Sequence, residues 1–243
     1  MNVEEYATMF SVEDGHWWYL GLRGMIDLFW RRCVTAERPR VLDAGCGTGA
    51  LLERLGARAE ACGVDLSPVA VQFCRQRGVE RTAAASVTAL PFQLATFDVA
   101  VSFDVFCHRS ISDKRVPFRE VYRALKPGGL FLLNLPAYQW LHSSHDVAVH
   151  TDRRFTKGQV LRLLRESDFE PLHATYWNTL LFPPVVATRL WRRIFPPKGS
   201  DLDTDWEGAS NRVFAAILRL ERGLVRATPL PCGLSVFAVA RKP

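Results

Sequence analysis

Hydrophobic and polar residues follow one another along the first part of the chain in short blocks, whose period alternates between that of a strand and that of a helix. Helical spacing is found in "SPVAVQFCRQRG", where Ser67 and Pro68 are the expected N-cap and first position, and in "KRVPFREVYRALKPGG", which we expect to end at Pro127 and its two glycines. Compact apolar runs typical of strands are "RVLDAG", "AEACGVDLS", the weaker "VERTAA", "TFDVAVSFD" and "GGLFLLNLP". This order predicts right-handed βαβ units and a parallel sheet.

The N-terminal region shows helical spacing without the strand pattern. Residues 11–33 are rich in aromatic side chains, and their apolar positions recur at helical spacing, so we expect a helical cap over residues 1–35. On this helix Tyr19, Arg23 and Asp27 would form one polar stripe. The stripe is either a surface ladder with an i,i+4 ion pair or a face that reaches a ligand.

The C-terminal part breaks the alternation. A helix at about 156–166 and one more strand are followed by residues 178–230, which contain two Pro-Pro pairs and a second helical run. The apolar strand "GLSVFAVARK" then closes the chain. We interpret residues 178–230 as a helical insertion, and residues 36–177 and 231–243 as the core.

Composition places the chain among globular proteins. Its 243 residues are 48% hydrophobic and 23% charged, and no apolar run approaches the roughly 18 residues that would span a bilayer. We expect no secretory signal, and the six scattered cysteines, without a CxxC pair, indicate reduced thiols and a cytoplasmic location. A net charge of +6 permits anionic partners without demonstrating one.

The strongest chemical signal is "RVLDAGCGTGALLERL", where an acid and three alternating glycines follow the first strand. Open parallel sheets bind ligands at the carboxyl ends of their strands, and glycines there allow a tight turn and close backbone approach. The loop also fits the dinucleotide pattern G-x-G-x-x-A, and Asp65, at the end of the second strand, suits ribose hydroxyls. Asp43 disfavours a pyrophosphate and favours a ligand that carries an ammonium group.

Together with later blocks, this loop resembles the class I S-adenosylmethionine-dependent methyltransferases, specifically the type 11 group. The matching blocks are "VLDAGCGTG", "GVDLSPVAV", "ALPFQLATFDVAVSFDVFCH" and "ALKPGGLFLLNLPAY". The resemblance covers about residues 40–136 and extends to roughly 180. It implies a Rossmann-like, doubly wound α/β fold with a seven-stranded, mostly parallel sheet, an antiparallel last strand and helices on both faces.

The resemblance also implies S-adenosylmethionine as the cofactor. One position departs from the family, because Ser86 stands where an acid usually meets the adenine amino group, although a serine hydroxyl can still accept a hydrogen bond. Tyr19 and Arg23 of the cap could reach the methionine carboxylate or the substrate. The implied cofactor contacts are Asp43, Gly45, Cys46, Gly47, Gly49, Asp65, Leu66, Ser86, Val87, Phe103, Tyr19 and Arg23.

The implied reaction transfers a methyl group to an O, N or C atom of a small molecule. A hydroxyl or ammonium acceptor also needs a base. The candidate catalytic residues are His145, which Asp146 could orient, His108 at the end of the fourth strand, and Tyr19. For any single histidine, bracing the loop is the more common role, and the histidine spacing does not indicate a metal site.

The sequence of the inserted segment gives information about the kind of substrate. Its apolar residues are interrupted by arginines, a pattern typical of a lid over an apolar substrate, of a membrane-surface helix at residues 180–195, or of a homodimer contact. We favour the lid, because an insertion between the last two strands overhangs the ligand-binding edge. No Asn-Pro-Pro-Tyr block follows the fourth strand, so we expect no nucleic-acid substrate. The rivals are an NAD-dependent oxidoreductase, a methyltransferase for lipid-linked or nucleic-acid substrates, and a protein that binds the cofactor without catalysis.

Overall fold

One seven-stranded sheet runs through the computed structural model, which describes residues 3–194 and 208–243. In sheet order the strands are β3 (Thr82–Ala84), β2 (Glu60–Asp65), β1 (Arg40–Ala44), β4 (Phe97–Phe103), β5 (Leu125–Pro136), β7 (Ser235–Arg241) and β6 (Glu170–Trp177). All neighbours pair in parallel except β7, which is antiparallel to both β5 and β6. The predicted α/β fold with an antiparallel last strand is confirmed.

Helices cover both faces of this sheet. Within the described residues they are α1 (Val3–Val12), α2 (Trp17–Cys33), α3 (Ala50–Gly56), α4 (Pro68–Gln76), α5 (Arg115–Ala124), α6 (Ser144–Ala148), α7 (Lys157–Glu166), α8 (Phe182–Ile194) and α9 (Ala209–Ala227). Local signals set some of their ends: Thr156 and Gln159 form a reciprocal capping box at the start of α7. Ser67 takes the predicted N-cap position of α4, but its side chain makes no capping hydrogen bond.

Adjacent strand residues point to opposite faces and enter separate apolar cores. In β1, Leu42 packs on the side of α5 and α7, whereas Val41 packs on the side of α2, α3 and α9. Both side chains are fully buried. Burial of a large residue such as Phe118 or Phe29, one on each side, stabilises the fold by about 1.5–3 kcal/mol. These two cores fix the strand ends, where open sheets carry their ligand sites.

The cap and the insertion share one layer. A side chain at Gly21 of α2 would collide with Leu218 of α9, so the two helices pack closely. At the start of α2, the Trp17 backbone N–H donates to Asn211 Oδ1 over 2.7 Å. Among the helices in the described ranges, none combines the length and the apolar character needed to cross a membrane.

One helix ends earlier than predicted. α5 stops at Ala124 rather than at Pro127, because Leu125 is already extended and pairs with Phe97 of β4. The residue before a proline also disfavours helical geometry, which keeps this segment in β5.

Parts of three predicted segments lie outside the described residues. These are residues 1–2 of the cap, residues 195–207 of the insertion at 178–230, and residue 195 of the proposed membrane-surface helix. The side chains at positions 145 and 192–194 are likewise outside the described part of the chain.

Candidate cofactor and substrate site

Carboxylates converge where β1 and β2 end. Asp43 is the next-to-last residue of β1, near the ligand-binding edge, and is only 3% exposed. Asp65 is the last residue of the neighbouring strand β2. Burial, with smaller contributions from the carboxylates of Asp65 and Glu13, raises the pKa of Asp43 to about 8. A positively charged ligand placed here would stabilise the ionised form of Asp43, so the crevice favours a cation.

The three glycines of the following loop have different roles. Gly45, Gly47 and Gly49 have φ of 101°, 54° and 90°, a region that favours glycine. A Cβ at Gly45 would collide with Val105, and one at Gly49 would crowd α4, so these two permit close packing. Gly47 faces the crevice, and a Cβ there would lie 3.2 Å from Met9 Sδ of α1. Because Gly49 is the left-handed N-cap, α3 begins just after it, at Ala50.

The backbone N–H groups of this loop bond within the protein. Those of Gly45 and Cys46 donate to Val64 O over 2.8 and 2.9 Å, and that of Gly47 donates to Asp65 Oδ2 over 3.0 Å. The loop therefore fixes Asp65 and lets a ligand approach the bare backbone. We expected its N–H groups to face the ligand, but in this structure they hold the loop to β2.

Asp65 receives two further hydrogen bonds at its other oxygen. Oδ1 accepts the Ser67 N–H over 3.0 Å and the Tyr6 hydroxyl over 3.2 Å. Burial and the charge of Asp65 raise the pKa of Tyr6, which keeps its hydroxyl a donor. Of the donors to Asp65, Tyr6 is the one that comes from the N-terminal cap.

α1, which carries Tyr6, falls within the expected helical cap and lies across the crevice, but its contacts with the crevice are not predicted by the sequence pattern. Just after it, Glu13 is 5% exposed and accepts a hydrogen bond from the Thr48 hydroxyl of the glycine loop. Burial raises the pKa of Glu13, and Arg77 opposes that shift. Glu13 is thus a third carboxylate at the site, supplied from outside the sheet.

Asp104, directly after β4, is the functional candidate that the sequence reasoning missed. Its φ is 57°, in the left-handed region. Asn134 Nδ2 donates to Asp104 Oδ1 over 3.0 Å, and Asn134 Oδ1 accepts the Trp177 Nε1–H over 2.7 Å. Burial raises the pKa of Asp104 to about 7. The sequence signal that could have identified Asp104 is its position directly after a strand, because acidic residues also stand at the ends of β1 and β2.

Tyr19 of α2 links the two parts of the site. Its pKa is raised by burial and then by the carboxylates of Glu13 and Asp104. Its side chain therefore lies near both the cofactor crevice and the end of β4. The roles predicted for Tyr19, in cofactor contact and in catalysis, remain predictions.

The polar stripe predicted on α2 does not form as a ladder. Arg23 donates to Glu13 O over 2.8 Å and pairs with Asp14 at 3.0 Å. Asp27 pairs instead with arginines at the end of α3 and just after it. The Tyr19–Arg23–Asp27 ladder is therefore wrong, because Arg23 bonds to the turn between α1 and α2. In this arrangement Arg23 holds the cap, and its predicted contact with the cofactor would require it to leave those partners.

The residues expected near the adenine follow β2 and β3. Ser86 Oγ lies 2.7 Å from Thr88 Oγ1 and accepts the Thr88 N–H over 3.2 Å, so a local turn engages the hydroxyl. Val87 is buried, whereas Leu66 is 57% exposed. Phe103 stacks on a phenylalanine of β7 with ring centroids 6.1 Å apart, which directs it toward the core.

The predicted catalytic histidines lie in two loops. His108 Nδ1 is 2.8 Å from Ser110 Oγ, and burial, helped by nearby positive groups, lowers the pKa of His108 to about 4. His145 belongs to α6, and its side chain is outside the described part of the chain. Asp146 pairs with Arg154 at 2.8 and 3.0 Å, and its role in orienting His145 remains a prediction. Across the described residues, no three His, Cys, Asp or Glu side chains are placed to hold a metal ion.

These features define a Rossmann-like nucleoside site for a cationic ligand. Asp65 suits ribose hydroxyls, and Asp43 and Glu13 suit positive groups. S-adenosylmethionine carries a ribose, an ammonium and a sulfonium, and therefore fits the residues present. A dinucleotide pyrophosphate would instead add negative charge beside a buried carboxyl that already faces two others.

Comparisons with known proteins agree with this class. Residues 42–133 match a family model described as a methyltransferase domain. The chain is 30% identical over 165 residues to the ubiquinone biosynthesis O-methyltransferase of Idiomarina loihiensis, an alignment covering 60% of this chain and 66% of that relative. It is 31% identical over 147 residues to 24-methylenesterol C-methyltransferase 2 of Oryza sativa, covering 53% of this chain and 38% of that relative. The chain thus spans less than two thirds of the length of either.

A solved structure shows the same architecture over most of the chain. The crystal structure of the (4+2)-cyclase SpnF superposes with a TM-score of 0.58 at 25% identity, covering 90% of this chain and 80% of that one. Residues 42–133 are thus a methyltransferase domain on a fold of class I, and its cofactor is S-adenosylmethionine.

Proposed function

We propose that this protein transfers the methyl group of S-adenosylmethionine to a small molecule. The observation that carries the proposal is the convergence of Asp43, Asp65 and Glu13 around Gly47, an anionic crevice with bare backbone. The relatives named for ubiquinone and sterol methylation support an apolar acceptor and a biosynthetic role. The acceptor atom, O, N or C, stays open.

The chain's own residues would divide the work of binding the cofactor. Asp65 would hold the ribose hydroxyls, Asp43 the ammonium group, and the segment around Ser86 and Val87 the adenine. Gly47 would let the ligand lie against the main chain. Bound there, the cofactor supplies a methyl group on a sulfonium, which is a good leaving group. The protein contributes mainly orientation and exclusion of water.

We assign Asp104 as the proton acceptor when the methyl acceptor is a hydroxyl or an ammonium. Its carboxylate is oriented by Asn134, which Trp177 in turn holds. A pKa of about 7 suits a base at neutral pH better than the pKa of about 4 of His108. His108, His145 and Tyr19 are the alternative bases. A carboxylate or carbon acceptor would instead use Asp104 to orient the substrate.

We also propose a role for the insertion, a cellular location and the kinds of partner. The insertion at 178–230 would act as the substrate lid, with peripheral membrane contact through 180–195 and a homodimer as alternatives. We propose a cytoplasmic location, consistent with reduced cysteines. Neither nucleic acid nor a metal ion has a part in this mechanism.

The function is tested in two stages with the full chain. Titration calorimetry should show binding of S-adenosylmethionine and S-adenosylhomocysteine, and no binding of NAD at the same concentrations. Turnover is then followed as release of S-adenosylhomocysteine with a panel of quinols, sterols and prenylated acids. NAD binding would replace the proposal with an oxidoreductase. Cofactor binding without turnover on any acceptor would favour a non-methylating protein on this fold, as the name of the cyclase neighbour illustrates.

A further inference from the structure

α1 covers the groups that the cofactor must reach. Tyr6 bonds to Asp65, and Met9 lies over Gly47. The turn after α1 places Glu13 on the hydroxyl of Thr48. A nucleoside that uses Asp65 and the glycine loop must therefore pass α1 to reach them.

α1 is held mainly by polar contacts rather than by an apolar core. Of its described side chains, Tyr6 alone is buried, and none of them belongs to the hydrophobic clusters of the protein. Segments with few buried apolar contacts open at low cost. What holds α1 closed is therefore a small number of hydrogen bonds and ion pairs, together with one contact between the rings of Phe10 and Phe73, whose centroids are 4.9 Å apart.

Arg77, at the C-cap of α4, bonds both to α1 itself and to the turn after it, whereas Arg23 bonds to that turn alone. The Arg77 guanidinium, 8% exposed, donates to Glu13 at 2.9 Å, to Asp14 at 2.9 Å and to Phe10 O at 3.2 Å. It also lies 4.5 Å from the ring centroid of Phe10, and it reaches Glu53 of α3 at 3.3 Å. A planar, five-donor fork suits such simultaneous contacts, and lysine cannot reproduce them.

We propose that α1 is a gate over the cofactor crevice and that Arg77 is the positioning residue that latches it. The inference rests on the proposed function for the identity of the ligand. Arg77 does not itself belong to the crevice: it acts through Phe10, Glu13 and Asp14. Opening of the latch would admit the cofactor and release the product nucleoside, and closure would exclude water from the crevice.

A gate makes a kinetic prediction that a merely structural ion pair does not. Because the same opening serves admission and release, Arg77→Gln should raise both kon and koff for S-adenosylhomocysteine by about tenfold or more, since several bonds of a buried arginine are lost together. Kd should then stay within about threefold, because the closed state is weakened with and without ligand. Arg77→Lys should fall between wild type and Arg77→Gln.

The experiment uses stopped-flow tryptophan fluorescence on the full chain, with S-adenosylhomocysteine as the probe and Trp17 and Trp18 near the turn as reporters. Arg75→Gln, an exposed arginine on the same helix, is the matched control and should leave both rates unchanged. Hydrogen exchange of residues 3–15 without ligand should be faster in Arg77→Gln than in Arg75→Gln. Circular dichroism confirms folding, and Arg77→Lys carries the test if Arg77→Gln does not fold.

Unchanged rates in a folded Arg77 variant would overturn the latch. A rise in koff alone, with Kd weakened to the same degree, would also overturn it, because it would show a contact made only in the bound state. If wild type binds neither cofactor form, the proposed function fails, and hydrogen exchange still decides whether Arg77 holds α1.

Discussion

The strand ends of the sheet and the α1 segment that covers them are built in different ways. Leu42 and Val101 behind the strand ends are fully buried in apolar cores, whereas α1 is fastened by Tyr6, Glu13 and the side chain of Arg77. Apolar burial fixes position, whereas a few hydrogen bonds and ion pairs can be exchanged for others. We therefore infer that the rigid strand ends recognise the cofactor and that the α1 segment controls its access to the crevice.

The largest expected effect is loss of the rigid recognition site. Asp65→Ala removes the carboxylate expected to hold the ribose, and Gly47→Val places a β-branched residue at φ of 54° in the crevice. We expect each variant to weaken S-adenosylhomocysteine binding by at least about 100-fold, since either the carboxylate that bonds the ribose or the space beside the bare backbone is lost. Calorimetry measures this effect, with thermal unfolding as the folding control. Normal binding by either folded variant would contradict the site assignment.

The recognition site is also the part that could be predicted from the sequence. The acid, the glycines and the acid at the next strand end are local signals, and they lie together because parallel strands end at one edge. A helical cap over residues 1–35 was expected, but the contacts that hold α1 over the crevice were not, because Glu13 and Arg77 are 64 positions apart and meet only in the fold. The ion pair between Asp146 and Arg154 was likewise not predicted from the sequence.

The acceptor side should show the next largest effect. We expect Asp104→Asn to lower turnover by about 10²–10⁴-fold, the usual contribution of a base, while S-adenosylhomocysteine affinity changes less than about threefold. Because Asp104 is active when ionised and its pKa is about 7, the wild-type rate should rise with pH through about 7 and then level off. Initial rates from pH 5.5 to 8.5 measure this profile.

Two matched variants isolate the assignment of the base. Asn134→Ala should lower turnover less than Asp104→Asn and shift the pH profile, because it removes the bond that orients the carboxylate. His145→Ala should lower turnover without altering cofactor affinity if that residue is the base. Asp104→Asn with wild-type turnover, alongside an inactive His145→Ala, would transfer the role to His145.

Stability measurements compare the two regions directly. Leu42→Ala, in the apolar core, should lower the free energy of unfolding by about 2–5 kcal/mol. Tyr6→Phe, which removes one partly buried hydrogen bond of α1, should cost about 0.5–1.5 kcal/mol. Chemical denaturation with a common m-value gives both numbers. A Tyr6→Phe effect as large as that of Leu42→Ala would mean that α1 is part of the core.

Binding of the cofactor should also release a proton. With its pKa near 8, Asp43 is mostly protonated without ligand below pH 7 and should ionise when an ammonium group arrives. S-adenosylmethionine affinity should therefore rise from pH 5.5 to 7, by up to about tenfold per pH unit. Calorimetry in buffers of different ionisation enthalpy counts the proton. Asp43→Asn should abolish the release, and an unchanged count in that variant would move the effect to Glu13.

The most direct measurement is a crystal structure of the full chain with S-adenosylhomocysteine. The ribose should bond to Asp65, the amino group should lie toward Asp43, and the chain of the ligand should pass over Gly47, with Asp104 beyond the sulfur. A crevice left empty at saturating ligand, or one that takes a nicotinamide nucleotide instead, would contradict the assignment of an anionic, glycine-lined site for a cationic nucleoside.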